Sequence, residues 1–292
     1  MKLSCIVPTL NEEVNVRKFL DRYIIQTQKF HELIFVDGNS KDKTREIIKE
    51  YMKSNPEIKL VVCEKKGLPA ARNCGLDNAT GDFITTMDAD WRLNNCDNIE
   101  ILVKKIDKNK EYIHIYVIYT YEKMEYQRLR KYIYLKDPGL NIPLIKRDFC
   151  PKWEEEYGFG EDVVFYKKLK KLNNKKIILN DKGLAISGND GEMNLEKLFR
   201  RNVWYGRTMV FYLKKTKDIS QTIRFMAYIL CIFPIFWVIP FFKGFFRGLN
   251  KINEGIDIPF GLGLIEIIAA LGTTFGFLQY LFGVRYISRD KN

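Results

Sequence analysis

The chain has 292 residues, 46% of them hydrophobic, and a formal net charge of +12. That length holds one large domain or two ordinary ones, and the apolar content excludes a disordered chain. The cationic surplus favours polyanionic partners: nucleic acid, anionic lipid headgroups or phosphorylated substrates.

Met1-Lys2 leads straight into the apolar run Leu3–Val7, which is too short for a signal peptide and is followed by Pro8. The stretch LSCIVPTL predicts a buried strand. From Glu12 onward, Val16, Phe19, Leu20, Tyr23 and Ile24 recur at helical spacing. ELIFVDGNS predicts a second strand ending at Asp37-Gly38, and KDKTREIIKEYMKS a helix capped by Ser40 or Asp42. IKLVVCE is a third strand, Leu68 to Ala79 a helix, and GDFITTMDAD a fourth strand. Strands and helices alternating through short loops predict a doubly wound, mostly parallel α/β sheet. Ligands bind such sheets beyond the carboxyl ends of their strands. Chemistry is therefore expected at 9–12, 37–40, 64–67 and 88–90.

Further on, IEILVKKIDK reads as a helix, EYIHIYVIYTYEK and LNIPLIKRDF as strands, and GEDVVFYKKLKKLNN as a helix opened by Glu161 and Asp162. NKKIILNDKGLAIS closes this part with one or two strands. The six cysteines form no CxxC pair and no zinc spacing, so reduced thiols facing the cytosol are expected. His31 and His114 fall in strand contexts and read as structural.

Asp88 and Asp90 stand two positions apart. In an extended segment both carboxylates face the same way, and with phosphate oxygens they suit Mg²⁺ or Mn²⁺. A polar loop after a strand is the bland alternative. Asp37 suits a ribose or a base edge, or else an Asx turn. The first strand ends in PTLNEE without GxGxxG, which argues against the common dinucleotide fold. It also argues against a nucleotidyltransferase, which would carry a Gly-rich basic turn there.

The segments SCIVPTLNEE, FVDGNSKDKT, KKGLPAARNCGLDNATGDFITTMDAD and GFGEDVVF resemble glycosyltransferase family 2, the inverting enzymes of GT-A fold, in order and in spacing. The resemblance runs from about Leu3 to about Gly206. It implies a UDP- or GDP-linked sugar as donor. It implies that Pro8, Thr9 and Glu12 line the nucleotide pocket and that Asp37 meets the base. Arg72 and Asn73 would lie near the donor, Asp88 at ribose or metal, and Asp90 on the metal. Glu161-Asp162 matches the acidic pair whose Asp is the general base; helix N-terminal charge is a compatible reading.

In LEKLFRRNVWYGRTMVFYLKK, Leu195, Leu198, Phe199, Val203, Val210 and Leu213 form an apolar stripe. The segment 194–215 is expected to be an amphipathic interfacial helix. The resemblance implies that Arg200, Arg201, Trp204 and Arg207 close on the diphosphate; anchoring on lipid is the alternative. Val203 stands where processive relatives have Arg before Trp, which argues against polymer synthesis. A His ligand that many relatives carry is missing from ISGNDGEMN, where Asn189 or Asp190 is a substitute.

Two uncharged stretches, 225–242 and 267–284, approach the roughly 20 residues of a membrane span; paired core helices are the other reading. Flanking Lys and Arg favour a hairpin with both ends in the cytosol. The expected organisation is a cytoplasmic catalytic domain, 1–221, and a two-helix transmembrane hairpin, 222–292, in the cell membrane. The expected activity is metal-dependent, inverting sugar transfer to a lipid-linked hydroxyl, or alternatively to a polyprenyl phosphate. A nucleic-acid partner is not expected, since no such motif accompanies the charge.

Overall fold

The computed structural model describes residues 1–93, 95–120, 141–157, 161–171, 176–187, 195–216, 237–249 and 258–282, with isolated positions between 222 and 230. Three apolar runs, each ending in a polar turn, form the first part of one sheet. They are β1 (Leu3–Thr9), β2 (Glu32–Asp37) and β3 (Ile58–Val62). β1 and β2 pair in parallel, as do β2 and β3. Alternate side chains enter two cores, as the strand period requires. Leu3, Cys5, Val7, Leu33 and Phe35 meet Val16, Phe19, Leu20 and Tyr23 of α1 (Glu13–Ile24) and Ile47 and Ile48 of α2 (Thr44–Met52). Ile6, Ile34 and Val36 meet Ala70 and Ala71 of α3 (Leu68–Asn78) on the other face.

β4 (Phe83–Thr86) pairs in parallel with β1. β5 (Arg92–Leu93), α4 (Asn98–Lys108), β6 (His114–Thr120), β7 (Asn141–Lys146), α5 (Glu161–Lys171) and β8 (Lys176–Ser187) follow. The sheet runs β3-β2-β1-β4-β7-β6-β8-β5. Its outer half is mixed: β7 is antiparallel to β4 and β6, β6 is parallel to β8, and β8 is antiparallel to β5. The expectation of a mostly parallel sheet thus holds through β4 and gives way to a mixed one. β6 and β7 pair antiparallel, and an antiparallel pair needs no crossover helix.

Glu32 shows how tightly the first strands are tied. Its buried carboxylate accepts from Ser4 Oγ at 2.6 Å, Thr80 Oγ1 at 3.1 Å and Gly81 N–H at 3.3 Å, and from Thr80 N–H and Lys59 Nζ. Burial alone would raise its pKa, but the bonds from Lys59, Ser4 and Thr80 outweigh burial and hold it at about 2, below the usual 4.5. A depressed carboxyl stabilises the fold fully above pH 4.5 and loses that contribution as pH falls towards 2. Lys59 is half exposed, so the screened contribution is on the order of 2–3 kcal/mol. Glu32→Gln is expected to lower the unfolding free energy from urea titration at neutral pH by that amount and to flatten its fall over this acid window.

Among the described residues, three continuous helices follow the sheet: α6 (Leu195–Thr216), α7 (Val238–Leu249) and α8 (Ile258–Leu281). The expected helix over 194–215 is present. Of its apolar stripe, Leu198 and Val203 are buried, and Phe199 meets Phe275 of α8 at 6.1 Å between ring centroids. The hairpin expectation is corrected in two respects. Lys243 and Arg247, which follow the first uncharged stretch and would fall between the two spans, lie within α7. The second apolar helix starts at Ile258, nine residues before the uncharged stretch, and takes in Glu266. Among the described residues, one helix segment, Leu262–Leu281, is long and apolar enough to cross a membrane. Much of the first expected span lies outside the described residues, as do Asn189, Asp190, Lys217, Arg224, Lys251, Arg285, Arg289 and Lys291.

Candidate active site

The carboxyl ends of β1 and β2 form one platform. Asn11 and Asn39 take left-handed conformations, φ 52° and 71°, which Asn tolerates better than bulkier residues. The two loops are laced together. Asn11 N–H donates to Ser40 Oγ at 2.9 Å, Lys41 N–H to Asn11 Oδ1 at 2.8 Å, Glu12 N–H to Thr44 Oγ1 at 2.8 Å and Glu13 N–H to Asp42 Oδ2 at 3.0 Å. Asp42 also receives Thr44 N–H at the start of α2, while Ser40 serves the neighbouring loop.

Asp37 is fully buried in this platform. Its Oδ2 accepts from Asn39 and Ser40 N–H at 3.0 and 2.9 Å, and Arg45 Nε lies 3.6 Å away. Its Oδ1 is buried with no hydrogen-bond partner. The Asx turn and the ligand contact therefore do not compete: one oxygen makes the turn and the other is left to accept. An unsatisfied buried acceptor costs roughly 1–3 kcal/mol, which a donor on a ligand would offset. Thr9 Oγ1 donates to Val36 O at 3.3 Å, and the preceding Pro8 pairs with Val36 across the strands.

Glu12 begins a polar chain into the next loop. Its Oε2 accepts from Asn15 Nδ2 at 2.7 Å, and Asn15 Oδ1 accepts from Arg92 Nη2 at 3.0 Å. Arg92, 5% exposed, also donates through Nη1 to the carbonyls of Ala89 at 3.3 Å and Trp91 at 2.8 Å. Arg92 thus clamps the turn that carries Asp88 and Asp90. It had no signal in the sequence, where it reads as one more surface cation.

That turn corrects the extended geometry expected of Asp88-Ala89-Asp90. β4 ends at Thr86, and Trp91 N–H closes a turn onto Asp88 O at 3.0 Å. Met87 and Ala89 point inward, buried, while Asp88 is 51% exposed. The two carboxylates supply oxygen ligands alone, and no group of three or more His, Cys, Asp or Glu converges among the described residues. This donor set fits a hard divalent cation that keeps positions for phosphate oxygens and water.

Arg72 of α3 joins that turn to α5. Its guanidinium lies 3.6 Å from Asp88 Oδ1 and 3.4 Å from Glu161 Oε1, with Trp153 beneath it at 6.0 Å. The side chain is 13% exposed, and its Nε is buried without a hydrogen-bond partner. Glu161, 16% exposed, is the member of the acidic pair turned to Arg72; Asp162 beside it is more open. Burial lifts the Glu161 carboxyl above its ordinary range, Arg72 pulls it back, and the charges of Asp162 and Asp88 add to the rise.

Asn73, the neighbour of Arg72, is committed within the protein. Its Nδ2 donates to Trp153 O at 2.9 Å and Glu155 Oε1 at 3.1 Å, and its Oδ1 accepts from Trp153 N–H at 2.8 Å. It holds the segment leading into α5. Trp153 then stacks on Phe165 of α5, 4.0 Å between centroids, which fixes the helix that carries Glu161.

The basic residues of α6 are placed less uniformly. Arg200 is exposed and paired with Glu196 at 2.6 Å. Arg201 and Arg207 are half-buried, each with Nε lacking a hydrogen-bond partner, and Trp204 lies against Tyr205. α6 reaches the segment before α5 through Tyr212, whose ring meets Tyr157 at 6.3 Å. The structure thus brings together Asp88, Arg72 and Glu161. It sets Asp37 on the adjoining platform and Arg200 out on the surface.

Several known proteins are similar to this chain. A protein of Methanococcus voltae, named as a dolichyl N-acetyl-alpha-D-glucosaminyl phosphate 3-beta-D-2,3-diacetamido-2,3-dideoxy-beta-D-glucuronosyltransferase, is 30% identical over 88% of this chain and 83% of its own length. Glycosyltransferase GlyA of Streptococcus pneumoniae is 37% identical over 42% of this chain, which spans 18% of GlyA. A Campylobacter jejuni GalNAc(5)-diNAcBac-PP-undecaprenol beta-1,3-glucosyltransferase is 34% identical over 39% of this chain and 37% of its own length. Among solved structures, S. aureus TarS 1-349 with UDP-GlcNAc superposes with a TM-score of 0.56 over 98% of this chain and 93% of that one, at 18% identity. The mannosyltransferase PcManGT of Pyrobaculum calidifontis, solved with GDP-Man and Mn²⁺, gives 0.55 over 98% and 76%, at 17% identity. At those identities the shared feature is the fold. The profile of glycosyl transferase family 2 matches residues 4–172, more than half of the 292. By that match and by the near full-length relative, this chain belongs to glycosyl transferase family 2 and has the GT-A fold.

Proposed function

We propose that this protein transfers a sugar, with inversion, from a UDP- or GDP-linked donor to a lipid-linked acceptor hydroxyl. The observation that carries the reading is the meeting of Asp88, Arg72 and Glu161 from three separate elements at the strand ends. In it Asp37 Oδ1 accepts a donor N–H of the nucleobase, and Pro8, Thr9 and Glu12 bound the same pocket. Arg72 lies where a diphosphate oxygen would compete with Asp88 and Glu161 for its guanidinium. Asn73 acts by holding Trp153. Arg201, Trp204 and Arg207 are assigned to the diphosphate, and Arg200 to the surface beside them.

Asp162, with Glu161 behind it, takes the proton of the acceptor hydroxyl. That oxygen bonds to the anomeric carbon as the bond to the diphosphate breaks, and the nucleoside diphosphate leaves. Asp88 and Asp90 would hold Mg²⁺ or Mn²⁺, which would supply positive charge against the departing diphosphate.

A phosphate acceptor, being already ionised, would need no base. The acidic pair favours a hydroxyl. So do two relatives, one named for a dolichyl sugar phosphate and one for a PP-undecaprenol glycan. Residues 222–292 are proposed to hold the catalytic domain, 1–221, at the cytoplasmic face of the cell membrane.

The test is incubation of membranes containing the protein with labelled UDP- and GDP-sugars, with Mn²⁺ or Mg²⁺ or with EDTA. Metal-dependent label in the organic extract is expected. Label that appears equally in EDTA, or in no fraction with any donor, would overturn the reading. Arg92→Met is expected to weaken activation by Mn²⁺ by about 10- to 100-fold, as loss of a support behind a metal ligand does. A Mn²⁺ titration of activity checks this, and full activation at wild-type Mn²⁺ would refute a clamp acting through the Asp88–Asp90 turn.

A further inference from the structure

Among the described residues, the C-terminal helices leave an apolar surface exposed on α7. α7 has 12 residues, about 18 Å at 1.5 Å per residue, against a hydrocarbon core of about 30 Å. Val238, Ile239, Phe242, Phe246 and Leu249 are exposed and recur on one face of it. The opposite face packs on α8. A Cβ on Gly244 would strike the Leu262 carbonyl, and the Phe241 ring lies over Gly263.

α8 is apolar enough to span, yet it is fastened to α6 at mid-length. A Cβ on Gly206 of α6 would collide with the Thr273 carbonyl, and one on Gly276 of α8 with the Val203 carbonyl. Gly272 lies equally close to Phe199 O and the Asn202 side chain. Such backbone-to-backbone packing requires glycine, and it fixes α8 alongside α6. α6 carries Glu196, Arg200, Arg201 and Arg207 along the same stretch. Arginine is among the most costly residues to place at the centre of a bilayer. α6 therefore stays out of the hydrocarbon, and α8 stays with it. Just over half of the apolar window of α8, 56%, is already buried by protein. Glu266 of α8, 1% exposed, lies 3.7 Å from the half-exposed Lys243 of α7, so the two helices also share an ion pair buried at its glutamate end.

We propose that α6, α7 and α8 form a monotopic docking unit. α8 does not cross the bilayer, and the exposed face of α7 enters the headgroup–acyl boundary of an anionic leaflet. The charge balance supports lipid as the occupant. From Lys214 to the end there are ten Lys and Arg against five Asp and Glu, one of them the buried Glu266. Basic segments of this kind are drawn to anionic headgroups and released by salt. The inference rests on the membrane attachment proposed above and not on sugar transfer, so its test reads topology and binding alone.

Asn253→Cys marks the connection between α7 and α8. Membrane vesicles of each orientation are treated with a bulky impermeant maleimide, and the labelled peptide is located by mass spectrometry. Label is expected from the cytoplasmic face alone. Label at residue 253 from the opposite face would establish the hairpin and overturn the proposal. In parallel, the purified full chain is floated with phosphatidylcholine vesicles, with and without phosphatidylglycerol. Flotation is expected with the anionic vesicles, weakened by salt, and reduced at least tenfold in Phe242→Glu/Phe246→Glu. A circular dichroism melt and nucleotide binding confirm that this variant is folded, and Ile239→Ser on the same face should give a smaller loss. Failure of the wild type to float, as expected if another protein covers this face, would refute lipid docking. So would undiminished flotation of the variants.

Discussion

Asp90→Asn is expected to lower metal-dependent sugar transfer by about 1,000-fold or more, since neutralising the departing diphosphate contributes several kcal/mol. The substitution keeps the size of the side chain and removes one of the two charges on the turn. Arg92 still holds Ala89 O and Trp91 O, so the turn itself should persist. Loss of activity would then report on the carboxylate and not on the loop. Asp88→Asn is the companion. It also releases Arg72, which lies 3.6 Å from Asp88, so it should alter donor KM as well as kcat. Initial rates over a range of Mn²⁺ and donor concentrations separate the two. Equal rates for wild type and Asp90→Asn would refute the metal assignment outright.

The strands up to β4 were legible because each is a continuous apolar run closed by a polar turn, and the helices between them show a 3.6-residue period. The end of β4 was misread for the same reason. Met87 and Ala89 are apolar and buried, so the alternation with Asp88 and Asp90 runs on past Thr86, where the backbone has already turned. The outer half of the sheet depends on pairing between distant segments, and nothing local in β6 or β7 states which neighbour each will choose. Asp37, Asp88 and the acidic pair stand out in the sequence through their motifs at strand and helix ends. Arg92 and the clamp made by Asn73 do not, because a buried polar residue looks in sequence like any exposed one until its partners are known. The C-terminal helices show the limit of hydropathy. It registers that α8 avoids water, and it does not distinguish a cover of lipid from a cover of α6 and α7.

The acidic pair allows the sharpest division between acceptors. Asp162→Asn is expected to reduce transfer to a hydroxyl by about 100- to 10,000-fold, the range of general-base catalysis, and to spare transfer to a phosphate. Glu161→Gln tests a different function. Glu161 is largely buried and holds Arg72 at 3.4 Å, so its loss leaves that guanidinium with Asp88. A smaller fall in kcat is expected, with a change in donor KM because Arg72 is freed towards the diphosphate. The pH profile tells positioning from mere packing. Burial, with Asp162 and Asp88 adding to it against the pull of Arg72, raises Glu161 above 4.5, so it protonates earlier than an ordinary glutamate as pH falls. Protonation removes the charge that holds Arg72, so Glu161 contributes to an acid limb of kcat lying above pH 4.5. In Glu161→Gln that contribution should vanish while transfer continues at a reduced rate. An unchanged limb would mean that the ion pair with Arg72 is structural. Equal loss on hydroxyl and phosphate acceptors in Asp162→Asn would remove the reason for preferring a hydroxyl acceptor, because a residue needed by both cannot be acting as the base for one.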